Sequence, residues 1–121
     1  MSKEITNDLL KLIWKAVDDK FGFDTVVLKV SEITPMADYF FITSGSNPNQ
    51  IKAIAVSVEE ELVKHKFTLR HSEGMNSANW VLLDFGDIVI HIFDRENREF
   101  YDLERVWADA VKLDTDLFNE K

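Results

Sequence analysis

The sequence predicts an α/β (α+β) domain, a mixed β-sheet covered by helices. Three observations carry that expectation. Over 80–93, two runs rich in β-branched and aromatic residues flank Phe85-Gly86, the pattern of a β-hairpin whose loop holds a residue tolerant of positive φ. Over 2–20, Ile5, Leu9, Leu10, Ile13, Trp14 and Val17 recur at helical spacing. Asn47-Pro48, placed just after an apolar run, is a cap followed by proline at the first helical position, so a second helix should begin there.

Taken in order, the first helix has Ser2 or Thr6 as its N-cap, and Phe21-Gly22-Phe23 ends it with Gly22 just past the last turn. The β-branched run 25–30 reads as a strand, 31–37 with Pro35 as a loop, and 38–43 as a second apolar strand. In the helix over 48–66, Ile51, Ile54, Ala55, Val58 and Leu62 line one face, while Glu59, Glu60, Glu61 and Lys64 form the solvated one. Residues 67–73 alternate loosely as a strand, and 74–79 form a polar connection into the hairpin. Beyond it, 94–99 read as a charged turn, followed by a closing helix from 100 with Leu103, Val106, Trp107 and Val111 inward. The order αββαβββα fits a single domain over 1–121, with an N-terminal helix over 1–20 and a tail over 112–121 to which the sequence assigns no role.

The hairpin separates two kinds of surface. With Phe85 and Gly86 as a two-residue loop, Asp84 pairs with Asp87, Leu82 with Val89, and Trp80 with His91. One face then carries Val81, Leu83, Ile88, Ile90 and Ile92. Leaving that slab wet would forfeit ~1.5 to 3 kcal/mol per side chain, so helices must cover it. The other face mixes Trp80, Leu82, Val89 and Phe93 with Asp84, Asp87 and His91. A buried carboxylate needs compensation, and such a mixture suits a partner surface better than an interior. Like charges opposite one another on a hairpin also cost stability, a hint of function.

Composition narrows the partners. With 22 acidic against 14 basic side chains, the net charge of −8 opposes unassisted binding to a phosphate backbone and favours a basic partner protein. The same charge also serves plain solubility. The absence of cysteine excludes disulfides, thiolate metal sites and cysteine nucleophiles. The N-terminal stretch, interrupted by Asp8, Lys11, Lys15, Asp18 and Asp19, is neither a secretory signal nor a transit peptide, and no apolar run approaches the ~20 residues that span a bilayer. A cytoplasmic location is expected.

Ser44-Gly45-Ser46, between a strand and a helix, reads as a turn or, as the alternative, a phosphate cradle of a nucleotide-binding transferase. It lacks the glycine spacing and lysine of a P-loop. Transferases with such a turn carry metal carboxylates at alternate positions of one strand, and here no Asp-x-Asp or Asp-x-Glu follows at the next strand. Asp84, Asp87 and His91 read as turn structure or partner binding rather than an acid-base or metal site. His65 and His71 read as surface residues, and Trp14 and Trp107 as core. Trp80, on the mixed face, reads as an interface anchor. No catalytic residue, cofactor or metal is assigned.

Ala37-Asp38-Tyr39-Phe40, Ser44-Gly45 with Gln50, Glu73-Gly74, Trp80-Val81-Leu82-Leu83-Asp84 with Gly86-Asp87, His91, Phe93, Arg98, Tyr101-Asp102-Leu103-Glu104 and Trp107 together resemble the ribosomal silencing factor family RsfS, also called Iojap. The resemblance implies a nucleotidyltransferase-like topology without the catalytic residues, and a homodimer. It implies binding to the large ribosomal subunit through its fourteenth protein, on the inter-subunit face. A factor lodged there blocks subunit joining, lowers translation under nutrient limitation and, in some members, assists large-subunit assembly. The contact surface it implies centres on Trp80, Leu82, Asp84, Asp87 and His91, with Tyr101 and Leu103 nearby. An adaptor using the same face for a non-ribosomal partner is the remaining reading.

Overall fold

The structure is a computed structural model that describes residues 6–118. The Ser2 cap, Ile5 and the last residues of the tail lie outside the described residues. The elements are α1 (Asn7–Asp18), β1 (Phe23–Lys29), β2 (Tyr39–Ser44), α2 (Pro48–Lys64), β3 (His71–Glu73), β4 (Trp80–Asp84), β5 (Ile88–Phe93), α3 (Arg95–Tyr101), α4 (Leu103–Val106) and β6 (Val111–Lys112), followed by a 3₁₀ turn at Thr115–Leu117. They build a six-stranded sheet in the order β3-β4-β5-β2-β1-β6. Only β2 and β5 pair in parallel, so the sheet is mixed, as the sequence predicts.

Both long helices start where their caps dictate. Thr6 Oγ1 accepts from Leu9 N at 3.1 Å, and Asn47 Oδ1 accepts from Gln50 N at 2.8 Å. Leu9, Leu10, Ile13 and Val17 of α1 and the five apolar positions expected on α2 are buried against Val81, Leu83, Ile88, Ile90 and Ile92, so the aliphatic slab is core. Trp14 is half-buried beside Phe41 and Phe118, with ring centroids 6.4 and 6.0 Å away. The tail thus has a packing role that the sequence did not disclose: Phe118 returns the chain to α1 and is 4% exposed. Among the described residues no helix is long and apolar enough to cross a membrane.

The hairpin register differs from expectation by two residues. Trp80 faces Phe93, Leu82 faces His91 and Asp84 faces Val89, so Asp84 does not oppose Asp87 and no like-charge cost arises there. The cause is Phe85. Extending the ladder by one more residue lets Phe85 N donate to the Ile88 carbonyl at 3.0 Å and buries the ring in the core. At the loop tip the same ring would forfeit about 2 kcal/mol of burial. The turn passes to Gly86 and Asp87, with Gly86 at φ 88° and its N–H donating to Asp84 Oδ1 at 2.8 Å. A slip of two preserves which face each side chain occupies, so the expected separation of faces stands.

The C-terminal region is also built differently. Residues 95–101 are helical because Asp94 caps them, its Oδ1 accepting from Asn97 N at 2.8 Å. Asp102, at φ 46°, breaks the expected closing helix into α3 and the single turn α4. Val106 is 69% and Val111 53% exposed, not inward, and Val111 lies in the edge strand β6. The strand expected over 67–73 is confined to β3, with Phe67 and Leu69 packed on the core instead. Phe21, rather than Gly22, takes the positive φ after α1.

Gly74, at φ 85° between β3 and β4, leaves no room for a Cβ, which would press into the Trp80 carbonyl. Gly74→Ala should therefore cost about 2 kcal/mol and lower the melting midpoint by roughly 5 to 12 °C in a thermal scan. An unchanged midpoint would mean that the turn is not constrained as described.

Candidate partner-docking face

The second face of the sheet is half covered. A second apolar cluster joins Val26, Leu28, Phe40, Ile42 and Phe93 to Leu103, Trp107 and Ala110, so the chain from α3 to 110 lies over β1 and β2. One guanidinium holds that segment down. Arg98 donates from Nη1 to Ser44 Oγ at 2.8 Å, from Nη2 to the Asp24 carbonyl at 2.6 Å and from Nε to Glu104 Oε1 at 2.7 Å. A register irregularity in β1 between Phe23 and Val26, with Asp24 at φ 52°, presents that carbonyl.

Beside α3 the aromatic residues form a stack. Trp80 lies 4.5 Å from Tyr101 and 5.0 Å from Phe93, centroid to centroid, and its Nε1–H donates to His91 Nδ1 at 3.2 Å. His91 is 5% exposed, and burial lowers its imidazole from 6.5 to about 4, so the ring is neutral at physiological pH. Its Nε2 is buried and has no hydrogen-bond partner among the described residues.

Past His91 the cover ends and a groove of about 200 Å³ opens, lined by Thr34, Met36, Ala37, Phe40, Leu82, Asp84, Val89, His91 and Trp107. Trp107 forms one wall, edge-on to Phe40 at 4.9 Å. Met36 stands at the rim, 82% exposed. Asp87 sits at the hairpin tip, where its carbonyl accepts from Asp38 N at 2.8 Å, so Asp38, Asp84 and Asp87 gather at one end of the groove.

The structure therefore divides the sequence-derived site residues. Leu82, Asp84 and His91 share the groove, and Asp87 lies at its acidic end. Trp80 and Tyr101 belong to the neighbouring stack, and Leu103 to the cluster beneath the C-terminal segment. Trp80 is thus engaged within the chain itself rather than standing free as an anchor. Sequence reasoning missed Met36, Phe40 and Trp107 as groove residues. A methionine next to Pro35, in a stretch read as a loop, was the available signal for the first.

The Ser44-Gly45-Ser46 turn has spent the N–H groups a phosphate would need. Gly45 N donates to the Phe93 carbonyl at 2.9 Å and Ser46 N to Gln50 Oε1 at 2.5 Å, while Gln50 Nε2 ties the turn to the carbonyls of Lys20 and Phe21. Among the described residues no group of His, Asp and Glu side chains is arranged to hold a metal ion. His65 and His71 pair locally with Glu61 and Glu73 at the surface.

Residues 3–121 match the family described as "Ribosomal silencing factor during starvation". A ribosomal silencing factor RsfS of Bacillus subtilis is 37% identical over 108 residues, covering 89% of this chain and 92% of that protein. The chloroplastic Iojap protein of Zea mays is 32% identical over 100 residues, 83% of this chain and 43% of that one. Among solved structures, a crystal structure of a Chromobacterium violaceum protein superposes with a TM-score of 0.82 at 32% identity, covering 87% and 88% of the two chains. The fold and the family match are those of a ribosome-associated regulatory protein. The chain belongs to the RsfS (Iojap) family of ribosomal silencing factors.

Burial of His91 predicts an acid-side loss of stability. The unfolded imidazole, titrating at its ordinary value, binds a proton that the folded one refuses until about pH 4. Stability is thus full above pH 6.5 and declines as pH falls toward 4, by about 3 kcal/mol from this group. Melting curves of the wild type and of His91→Gln, which cannot titrate, should show their stability difference changing by that amount between pH 7 and 4. A flat difference would mean that the buried imidazole titrates normally.

Proposed function

We propose that this chain is a non-catalytic anti-association factor. It docks through the half-open second face onto the fourteenth protein of the large ribosomal subunit, and its bulk there blocks joining of the small subunit. Family membership supports the ribosomal setting. The observation that carries the docking mode is the groove between Leu82, Val89 and Trp107, an apolar recess with carboxylates at one end on a chain of net charge −8. Apolar walls supply affinity, and the carboxylates of Asp84 and Asp87 supply steering and register toward a basic surface.

Repression under nutrient limitation then needs only occupancy, with no bond made or broken. The factor works in the cytoplasm, as a homodimer. A relative from mouse, 32% identical over 88 residues, is named for mitochondrial assembly of the ribosomal large subunit, which supports a second role in large-subunit assembly for this chain as well. A nucleotide-binding transferase is disfavoured by the occupied N–H groups of the Ser44-Gly45-Ser46 turn.

Subunit joining on sucrose gradients tests the reading. Purified large and small subunits with a saturating amount of the protein should stay apart. Met36→Glu combined with Asp87→Lys changes only the rim and tip, and should weaken co-sedimentation with large subunits about tenfold or more, the scale of 1.4 kcal/mol. Unimpeded joining at saturating wild-type protein would overturn the proposal, and retention by a different macromolecule would favour the adaptor.

A further inference from the structure

One polar atom on the docking face is left unsatisfied, and its chemistry can be read off its neighbours. An indole N–H can only donate, so the 3.2 Å contact from Trp80 Nε1 requires His91 Nδ1 to accept and therefore to be unprotonated. The single proton of the neutral ring then resides on Nε2. That N–H is buried and has no acceptor among the described residues. An unpaired buried donor is costly, and native proteins leave few of them without a reason.

The surroundings do not offer an internal partner. Two side chains lining the groove could accept, Thr34 and Asp84, and neither brings an oxygen within hydrogen-bond reach of Nε2. The other lining side chains beside the imidazole are apolar or aromatic, with Phe40 nearest by ring contact at 5.2 Å. The groove is thus a largely apolar recess whose lining includes this imidazole, with its unspent donor buried at that wall and the Asp84 carboxylate nearby.

From this we infer that His91 is a specificity-determining hydrogen-bond donor of the groove: a basic segment of the docked protein seats one apolar side chain there and offers a main-chain oxygen to His91 Nε2–H. The inference rests on the docking reading above and adds to it the chemistry of the partner's contact segment. Acidic residues at the groove's end select Lys or Arg beside that side chain, and Trp80 acts as a positioning residue by fixing the imidazole tautomer. A partner segment lacking an acceptor at this point would forgo that hydrogen bond and bind more weakly than one that offers it.

Two substitutions separate the roles of the two ring nitrogens. His91→Asn places an oxygen near the site of Nδ1, keeping an acceptor for Trp80 but removing the Nε2 donor. His91→Gln reaches further and keeps an N–H near Nε2. Binding to isolated large subunits should fall about tenfold or more for His91→Asn and stay within about threefold for His91→Gln, tenfold corresponding to 1.4 kcal/mol. Equal binding by His91→Asn and wild type, or equal losses in both variants, would overturn the inference while leaving the docking reading in place; failure of the wild type itself to bind would remove both. Independently of either variant, long-range proton–nitrogen spectra of the free wild-type protein at pH 7 should show the Nε2-protonated tautomer, and the Nδ1-protonated form would overturn the assignment.

Discussion

Burial of Phe85 decides where β4 meets β5, and that register decides what the second face of the sheet displays. By joining the ladder instead of the loop, the ring gains about 2 kcal/mol and pushes the turn onto Gly86 and Asp87. Leu82 is then set beside His91, and Asp84 beside Val89, which puts an imidazole, two aliphatic side chains and a carboxylate around one recess. The same choice places Trp80 opposite Phe93, where Tyr101 can close the stack. A packing requirement on the interior face thus arranges the exterior one.

The C-terminal segment answers a conflict built into that arrangement. A sheet face carrying Phe40, Ile42 and Phe93 cannot remain wholly wet, yet both long helices are spent on the opposite face. Arg98 settles how far the cover extends. Its three hydrogen bonds tie α3 to the ends of β1 and β2 and to α4, and the chain then runs on to lay Trp107 against Phe40. Beyond Trp107 the cover stops and the groove opens.

Much of this was legible in the sequence because hydrophobic period is a direct consequence of burial. Both long helices, the aliphatic slab and the mixed face follow from spacing alone. Pairing partners were less accessible: a two-residue slip leaves every side chain on its own face, so the pattern cannot distinguish the two registers and only the competition between a wet and a dry Phe85 does. The helix α3 was invisible to periodicity because it buries none of its residues; Asp94, a cap in front of a charged run, was its sole signal. The partition of the site into a groove and a stack depends on the left-handed break at Asp102 and on the Arg98 contacts, and both are tertiary. Trp80 looked like a free anchor for the same reason, since its partners come from β5 and α3.

The three tryptophans stand on the two sides of the sheet: Trp14 with the returning tail, and Trp80 and Trp107 on the second face, one inside the stack and one on the groove wall. Indole emission responds to local polarity, so the molecule carries built-in optical reporters for its core, its aromatic platform and its recess. A change of colour at Trp107 would register an arriving occupant without any label, and an unchanged Trp14 would certify that the core beneath had not moved.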